Sequence, residues 1–380
     1  MQKLLILTDW FTPAYKAGGP VRSIENLARL LKDDFEIFIL TGDRDLGDRH
    51  PFEGITPDAW ILSDHNHHVR YVSPGKQNRH HIKKILLDIA PDILYLNSMY
   101  SRSFTLLPLS LLSSLPPDIR TILCPRGMLK DSALQYKSLK KKLFLYLMKF
   151  LHLGRRISFH ATDSQEAADI RKWFGRQAKL TIVPNVPALL DYQRCSKQEN
   201  QLRVLFVGRI HPVKNLKFAI ETLQHTNAKL HFEIIGNIED EKYWQECSEV
   251  INQLPSNVTV KFSGALPHKS IIRALTDCHL FYLPTQGENF GHAIFEALSV
   301  GRPVLISDQT PWRTLKEQNA GHDITLNNKT EFANYVGEVA AMHQAAFDLS
   351  CQAAHNLAKH YISSHHFLQK YRQLFGCTTD

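Results

Sequence analysis

Val204-Leu205-Phe206-Val207-Gly208-Arg209-Ile210-His211-Pro212-Val213-Lys214-Asn215 reads as an apolar strand, a glycine, a short loop and the start of a helix. The strand, over 202–207, delivers Gly208 at its carboxyl end, where a residue without Cβ lets a ligand come close to the backbone. Arg209 and Lys214 flank the loop. A guanidinium fork and an ammonium point charge beside a helix N-terminus form a cradle suited to a diphosphate. Either charge alone would read as a solvated surface residue; the pair after a strand and glycine reads as a site.

Outward from this stretch the same alternation repeats. Further strands are expected over 231–235, 258–262, 279–283 and 303–306, with helices over 215–223, 241–253, 269–276 and 291–299. The first half shows it too, with strands over 3–8, 35–40, 93–96, 121–124, 158–161 and 180–183. Its helices are expected over 20–31, 81–89 and 164–174, the first opened by Pro20. This alternation predicts parallel sheets covered on both faces. Pro184-Asn185-Val186-Pro187 breaks the pattern, and residues 188–201 are polar and turn-rich like a linker. The chain thus reads as two Rossmann-like α/β domains, residues 1–187 and 200–360. A helical segment over 344–375 is expected to pack back, so that residues 360–380 complete the first domain. Ligands of such sheets bind beyond the carboxyl ends of the strands, and an interdomain cleft is the expected site.

A second motif lies in Gly287-Glu288-Asn289-Phe290-Gly291-His292-Ala293-Ile294-Phe295-Glu296. Glu288 falls in a loop and Glu296 on the helix that follows. Ionised carboxylates are pure acceptors and suit paired sugar hydroxyls, which donate. The loop amides of Asn289, Phe290 and Gly291 open a helix and would suit an anion or a hydroxyl oxygen. Glu296 has Ala293, Ile294, Ala297 and Leu298 for company, and a buried carboxylate needs partners.

Composition bounds the alternatives. The 380 residues suit two domains, and 43% hydrophobic with 22% charged residues is a globular balance. The six cysteines are scattered without metal-ligand spacing, which suits buried free thiols in a reducing cytosol. No stretch reaches a membrane span, and the N-terminal apolar run is short for a signal peptide. The net charge of +8 is uneven: residues 1–190 hold 27 Lys+Arg against 18 Asp+Glu. Ten basic residues and one acid, Asp131, lie between Arg120 and Arg156. Within it, Lys137–Arg156 reads as a basic helix with an apolar stripe of Leu139, Leu143, Tyr146, Leu147, Phe150 and Leu151. That suits an anionic membrane surface, and equally a helix covering a sheet. Nucleic-acid binding would explain the charge but none of the motifs. Histidines 65, 67, 68, 80, 81, 365 and 366 lack acidic or cysteine partners and read as solvated loop residues.

Gly-Arg-x4-Lys-Asn followed by Glu-x7-Glu resembles the family-4 retaining glycosyltransferases of the GT-B fold. Ala297-Leu298-Ser299-Val300-Gly301-Arg302-Pro303-Val304, Gly18-Gly19-Pro20 and Pro125-Arg126-Gly127-Met128-Leu129 extend the resemblance over nearly the whole chain, the last in the manner of bacterial polysaccharide-assembly members. The resemblance implies that Arg209 and Lys214 hold the donor diphosphate and neutralise it as it leaves. Glu296 would take the ribose hydroxyls, and Glu288 with the Asn289 and Phe290 amides the donor sugar. Gly18 and Gly19 would approach the donor phosphate from the first domain. It further implies a nucleotide-sugar donor, a glycan or lipid-linked acceptor, retention of configuration, and neither cofactor nor metal. An Asp-x-Asp occurs at Asp43-Arg44-Asp45 alone in the first domain, in a polar loop read as remote from the motifs.

One departure stands out. Tyr95 and Asn97 occupy positions where many relatives carry histidine; Asn97 can orient a hydroxyl but cannot act as a base. Arg126 suits an acceptor phosphate, or equally a structural helix-end partner. Rival readings are a nucleotide-sugar epimerase on the same architecture, a phosphorylase, which the chain length disfavours, and a non-catalytic nucleotide-sugar-binding protein. A cytoplasmic protein, peripheral on the inner membrane face, is expected.

Overall fold

The computed structural model describes residues 1–130, 138–150, 156–224 and 226–376, in two compact units, Met1–Val186 with His366–Asp380, and Pro187–His365. The first unit is built from strands β1 (Gln2–Thr8), β2 (Phe35–Gly42), β3 (Trp60–Leu62), β4 (His68–Val72), β5 (Ile93–Asn97), β6 (Arg120–Cys124), β7 (Ser158–Ala161) and β8 (Leu180–Ile182). Its helices are α1 (Gly19–Leu31), α2 (Arg79–Ile89), α3 (Leu107–Leu111), α4 (Ser138–Phe150) and α5 (Ser164–Phe174). The sheet order is β3-β4-β2-β1-β5-β6-β7-β8. All neighbours are parallel except β3 and β4. Leu4–Thr8 are all buried, so β1 shows an apolar run instead of alternation, as a strand covered on both faces must.

The second unit holds β9 (Gln201–Val207), β10 (Lys229–Ile235), β11 (Val258–Gly264), β12 (Leu280–Leu283), β13 (Val304–Ser307) and β14 (Gly321–Ile324). Helices α6 (Leu216–Leu223), α7 (Glu241–Ile251), α8 (His268–Asp277), α9 (His292–Ser299) and α10 (Lys329–Ala341) connect or follow them. The order β11-β10-β9-β12-β13-β14 is all parallel and reverses direction between β9 and β12. That reversal is the topological switch point, where doubly wound sheets receive ligands.

Several elements went unread in the sequence. β3 and β4 lie in a polar, histidine-rich stretch at the sheet edge, where packing against β2 outweighs composition. Lys329–Ala341 and Gly321–Ile324 were likewise unassigned. His67, expected in solvent, is buried against Phe11 with ring centroids 5.6 Å apart, and desolvation pushes its pKa down to about 4. His68 sits in β4, stacked on Phe38 at 4.8 Å.

The expected helical segment over 344–375 is two helices, α11 (Gln344–His365) and α12 (Phe367–Phe375), broken where His366 takes a left-handed φ of 46°. α11 belongs to the second unit, where Tyr361 packs on Phe290, Phe295 and Trp312. α12 belongs to the first. There Arg372 pairs with Asp34 at 2.7 Å, and Tyr371 donates to the Pro184 carbonyl at 3.0 Å. Phe375 is fully buried, edge-on to Phe35 at 5.8 Å and to Tyr95 at 5.3 Å.

The basic helix α4 differs from expectation. Of the apolar stripe read in the sequence, only Leu143 and Tyr146 have described side chains, and both are exposed, at 68% and 61%. Among its described side chains, Leu145 and Met148 are buried. Lys137, Leu151 and Asp131 lie outside the described residues. No described helix is long and apolar enough to cross a membrane. The five described cysteines are buried and free.

Removing a buried aromatic ring costs both transfer free energy and a cavity, about 3–5 kcal/mol. Phe375→Ala is therefore expected to lower the stability of the first unit by that amount, read from urea unfolding, while the second unit's transition stays in place.

Candidate active site

The switch point brings the two sequence motifs together. β12 pairs with β9 through Leu280↔Val204 and Phe281↔Leu205, so the loops leaving their carboxyl ends run side by side. They are stitched along their length. Gln286 N–H donates to the Val213 carbonyl at 2.7 Å, and the Thr285 hydroxyl donates to the same oxygen at 3.0 Å. Ser307, at the end of β13, donates to the Thr285 carbonyl. Thr285 and Ser307 are both fully buried, so these hydroxyls fix loop position away from water.

On this frame the Lys214 ammonium pairs directly with the Glu288 carboxylate. The pair is largely buried, with side chains 17% and 11% exposed. Residues 74 positions apart, read as serving the leaving group and the donor sugar respectively, therefore touch. Arg209 sits on the same loop, after Gly208, and pairs with Glu239, a residue the sequence reading passed over. Glu296 lies one turn into α9, where His268 Nε2 meets Glu296 Oε1 at 2.8 Å. His268 opens α8 and was also passed over; nothing in its local sequence marks it, because its meaning comes from α9 standing beside α8.

A Cβ on Gly208 would meet the Lys214 stem and the Phe206 ring at an ordinary 3.5 Å. Gly236, at the end of β10, cannot carry one, since its Cβ would lie 1.9 Å from the Gly208 carbonyl oxygen. Gly208 N–H in turn donates to the Ile235 carbonyl at 3.0 Å. The signal was present, a glycine closing the strand adjacent to β9.

The loop from Glu288 to Gly291 is held from behind. Glu288 N–H donates to the Gln309 carbonyl at 3.0 Å, and Trp312 Nε1 donates to the Phe290 carbonyl at 2.6 Å. Phe290 is buried against Trp312, with centroids 5.4 Å apart. Gly291 precedes α9 at a φ of 78°, and Asn289 lies between these anchors.

In the first unit, Gly18 caps α1 at φ 70°, ψ −130°, a conformation open to glycine alone, and Gly19 begins the helix. The Asp43–Asp45 loop is nearer to it than expected. It follows directly on β2, and Asp45 Oδ2 accepts from the Tyr15 and Lys16 amides at 2.8 and 3.1 Å. Asp43 pairs with Arg44 at 2.8 Å. Both carboxylates are thus engaged by protein groups. Among the described residues no cluster of three or more His, Cys, Asp or Glu side chains could hold a metal ion.

Asn97 and Arg126 are brought together at the ends of β5 and β6. Arg126 donates to Asn97 Oδ1 from Nε at 3.2 Å and from a terminal nitrogen at 2.8 Å. It also donates to Tyr95 Oη at 3.3 Å and to Asn185 Oδ1. Four of its five N–H groups are thus spent on the protein, which favours the structural alternative. Glu166, buried on α5, locks the same loop by accepting from Gly127 N–H at 2.5 Å. Asn97 Nδ2 is buried with no hydrogen-bond partner among the described residues. Across the sheet's switch point, Ser101 donates to Asp9 Oδ1 at 2.6 Å, and burial pushes the Asp9 carboxyl up from its ordinary value.

A fully buried histidine of this sheet is His160, on β7. Its Nε2 lies 2.7 Å from the Val183 carbonyl, which only accepts, so Nε2 carries the proton and Nδ1 receives the Tyr95 hydroxyl at 2.7 Å. Burial, seconded by the Arg126 charge, pushes the His160 pKa down to about 3. It is a neutral structural group.

Residues 192–340 match the family model of glycosyl transferases group 1. No curated protein sequence matches the chain. Among solved structures, the chain superposes on sucrose-phosphate synthase of Thermosynechococcus elongatus with TM-score 0.75 and 16% identity, over 100% of both chains. Anabaena HepE, in complex with UDP and glucose, gives 0.70 and 16%, over 98% of each. WaaG, a glycosyltransferase involved in lipopolysaccharide biosynthesis, gives 0.63 and 15%, over 99% of each. At these identities the likeness is one of fold, and the fold is GT-B. The matched residues fall within the second unit, and Arg209, Lys214, Glu288 and Glu296 all lie among them.

His160 gives a pH signature. Its folded pKa lies below the unfolded value near 6.5, so the unfolded chain binds the extra proton. The stability it contributes is complete above about pH 6.5 and falls by about 1.4 kcal/mol per pH unit below it. Denaturant midpoints between pH 7 and 4 are expected to drop less steeply in His160→Gln than in the wild type.

Proposed function

We propose that the chain transfers a sugar from a nucleoside diphosphate sugar to a glycan or lipid-linked acceptor, with retention of anomeric configuration. The observation that carries this reading is the Lys214–Glu288 contact beside Arg209 and Glu296, at the switch point of a group 1 domain. Arg209 and Lys214 would hold the diphosphate, Glu296 the ribose hydroxyls, and Glu288, with the Asn289 and Phe290 amides, the donor sugar. Gly18 and Gly19 are assigned to donor phosphate approach. HepE, with UDP and glucose bound, supports a uridine nucleotide as a first probe.

Cleaving the anomeric C–O bond builds positive character on the sugar and negative charge on the departing diphosphate. Cations fixed before reaction act most strongly on that charge, because nothing need reorganise as it develops. Lys214 is held in place by Glu288, and a carboxylate so placed can also steady hydroxyls of the sugar. We read retention as same-face attack in which a donor phosphate oxygen takes the acceptor proton. Metal-independent transfer is part of the same reading, since lysine and arginine supply the leaving-group charge. WaaG's part in lipopolysaccharide biosynthesis supports a cell-surface polysaccharide setting. The epimerase alternative finds no support among the comparisons.

We further propose contact with an anionic membrane surface through α4 from the cytoplasmic side. Exposed Leu143 and Tyr146 beside exposed Lys149 support it, since an interfacial helix combines apolar side chains with basic ones. Flotation with anionic liposomes at low salt is expected to carry the protein up, and Leu143→Ser/Tyr146→Ser to reduce the bound fraction severalfold. A protein that stays at the bottom of the gradient ends this assignment.

Incubation with UDP-glucose and other nucleotide sugars, with glycan and lipid-linked acceptors, separates transfer from isomerisation and from binding alone. Lys214→Ala and Glu288→Ala are each expected to lower kcat/KM by about tenfold or more. Because the two side chains touch, their losses should not multiply: the double variant is expected to fall well short of the product of the singles. Multiplicative losses would show that the pair acts as two independent groups.

A further inference from the structure

Arg209 does not wait empty in this site, and the residue that occupies it was placed there by the backbone. The close passage of Gly236 beneath the Gly208 carbonyl brings the segment after β10 against the segment after β9. Ile210 N–H then donates to the Asn237 carbonyl at 2.8 Å, and the Glu239 and Asp240 amides both donate to the Ile210 carbonyl at 3.2 Å. Asp240 caps α7, its carboxylate accepting from Tyr243 N–H at 3.0 Å. Glu239 is thus fixed at its Cα between a bridge and a helix cap, one residue from each, while its side chain reaches Arg209.

The two cations differ in how firmly they are held. Lys214 and Glu288 are 17% and 11% exposed, but Arg209 and Glu239 are 44% and 37% exposed. An ion pair so open to water is weak and exchangeable. A diphosphate offers the guanidinium two parallel charge-assisted bonds and more charge, so it wins the exchange. The displaced carboxylate cannot leave, since its backbone is pinned. It stays beside the new anion, and like charges at that range repel.

We propose that Glu239 is an internal stand-in for the diphosphate: it holds Arg209 while the site is empty, and after exchange it weakens the grip on the released nucleoside diphosphate. The proposal rests on the reading of Arg209 as a diphosphate ligand. It specifies an effect on the phosphate end of the ligand alone, so nucleoside binding is indifferent to Glu239. Because both side chains are partly solvated, salt screens the effect.

Calorimetry on the full chain tests this with UDP, GDP, uridine and guanosine, on wild type, Glu239→Gln and Arg209→Ala. Glu239→Gln is expected to bind the preferred nucleoside diphosphate about three- to tenfold tighter at low salt. The gain should shrink in 0.5 M salt on the order expected for a Debye length of a few ångströms, and nucleoside affinity should not change. Arg209→Ala should lose affinity for the diphosphate, and adding Glu239→Gln to it should give a smaller gain than in the wild type, because only the like-charge repulsion is then relieved and no competition for the guanidinium remains. Unchanged or weaker diphosphate binding in Glu239→Gln, with Arg209→Ala still impaired, overturns the stand-in role and leaves the diphosphate reading intact. Wild-type affinity in Arg209→Ala, or no binding of either diphosphate by any form, overturns that reading and the stand-in role together.

Discussion

The parallel pairing of β9 with β12 is the constraint from which the site follows. Their neighbouring strands run on opposite sides of the pair in sequence order, so no crossover helix covers the carboxyl ends between them. The loop bearing Arg209 and Lys214 and the loop bearing Glu288 leave that edge together, and they are joined by backbone and hydroxyl hydrogen bonds to Val213 and Thr285. The site is a property of strand order first and of side-chain chemistry second.

Once the loops are fixed, charge settles how each group is held. Every cation or carboxylate of the donor motif has an opposite charge or a polar ring against it: Lys214 has Glu288, Arg209 has Glu239, and Glu296 has His268. A half-buried charge left alone would be costly, so the site is not built from bare ions. It is built from pairs. Depth in the protein then grades the pairs. The Lys214–Glu288 pair is the more deeply seated and acts as a fixed element, while the Arg209–Glu239 pair lies in water and exchanges.

Strand-by-strand alternation carried the architecture because both sheets are covered on both faces, which leaves continuous apolar runs such as Leu4–Leu7 and Val204–Val207. Where a strand lies at an edge, as β3 and β4 do, side chains there need not be apolar and the pattern fades. Most of the candidate site was readable from position: Arg209 and Lys214 lie in the loop after β9 and Glu288 in the loop after β12, while Glu296, on α9, was marked by its spacing from Glu288 and its apolar company. Glu239 and His268 were not, since each acquires its partner from a loop or helix that is distant in sequence. Gly236 lies between these cases. Its place at a strand end is plain from the sequence, but the Gly208 carbonyl it must clear becomes visible only when β10 lies beside β9.

The first unit shows how the same residue type changes office with position. Tyr95 and Asn97 occupy β5, and a buried histidine, His160, stands on β7 with both ring nitrogens engaged. Burial keeps it neutral, so it holds the Tyr95 hydroxyl, which in turn receives Arg126. Arg126 then fixes Asn97 and Asn185 at once. A side chain with most of its donors spent this way positions its neighbours better than it binds a phosphate. What the network leaves at the strand end is Asn97 Nδ2, a donor with its acceptor half already anchored, oriented without freedom to turn away. An amide there cannot remove a proton, and the proposed same-face attack asks for no base at this strand end, because there the donor's own phosphate oxygen takes the proton.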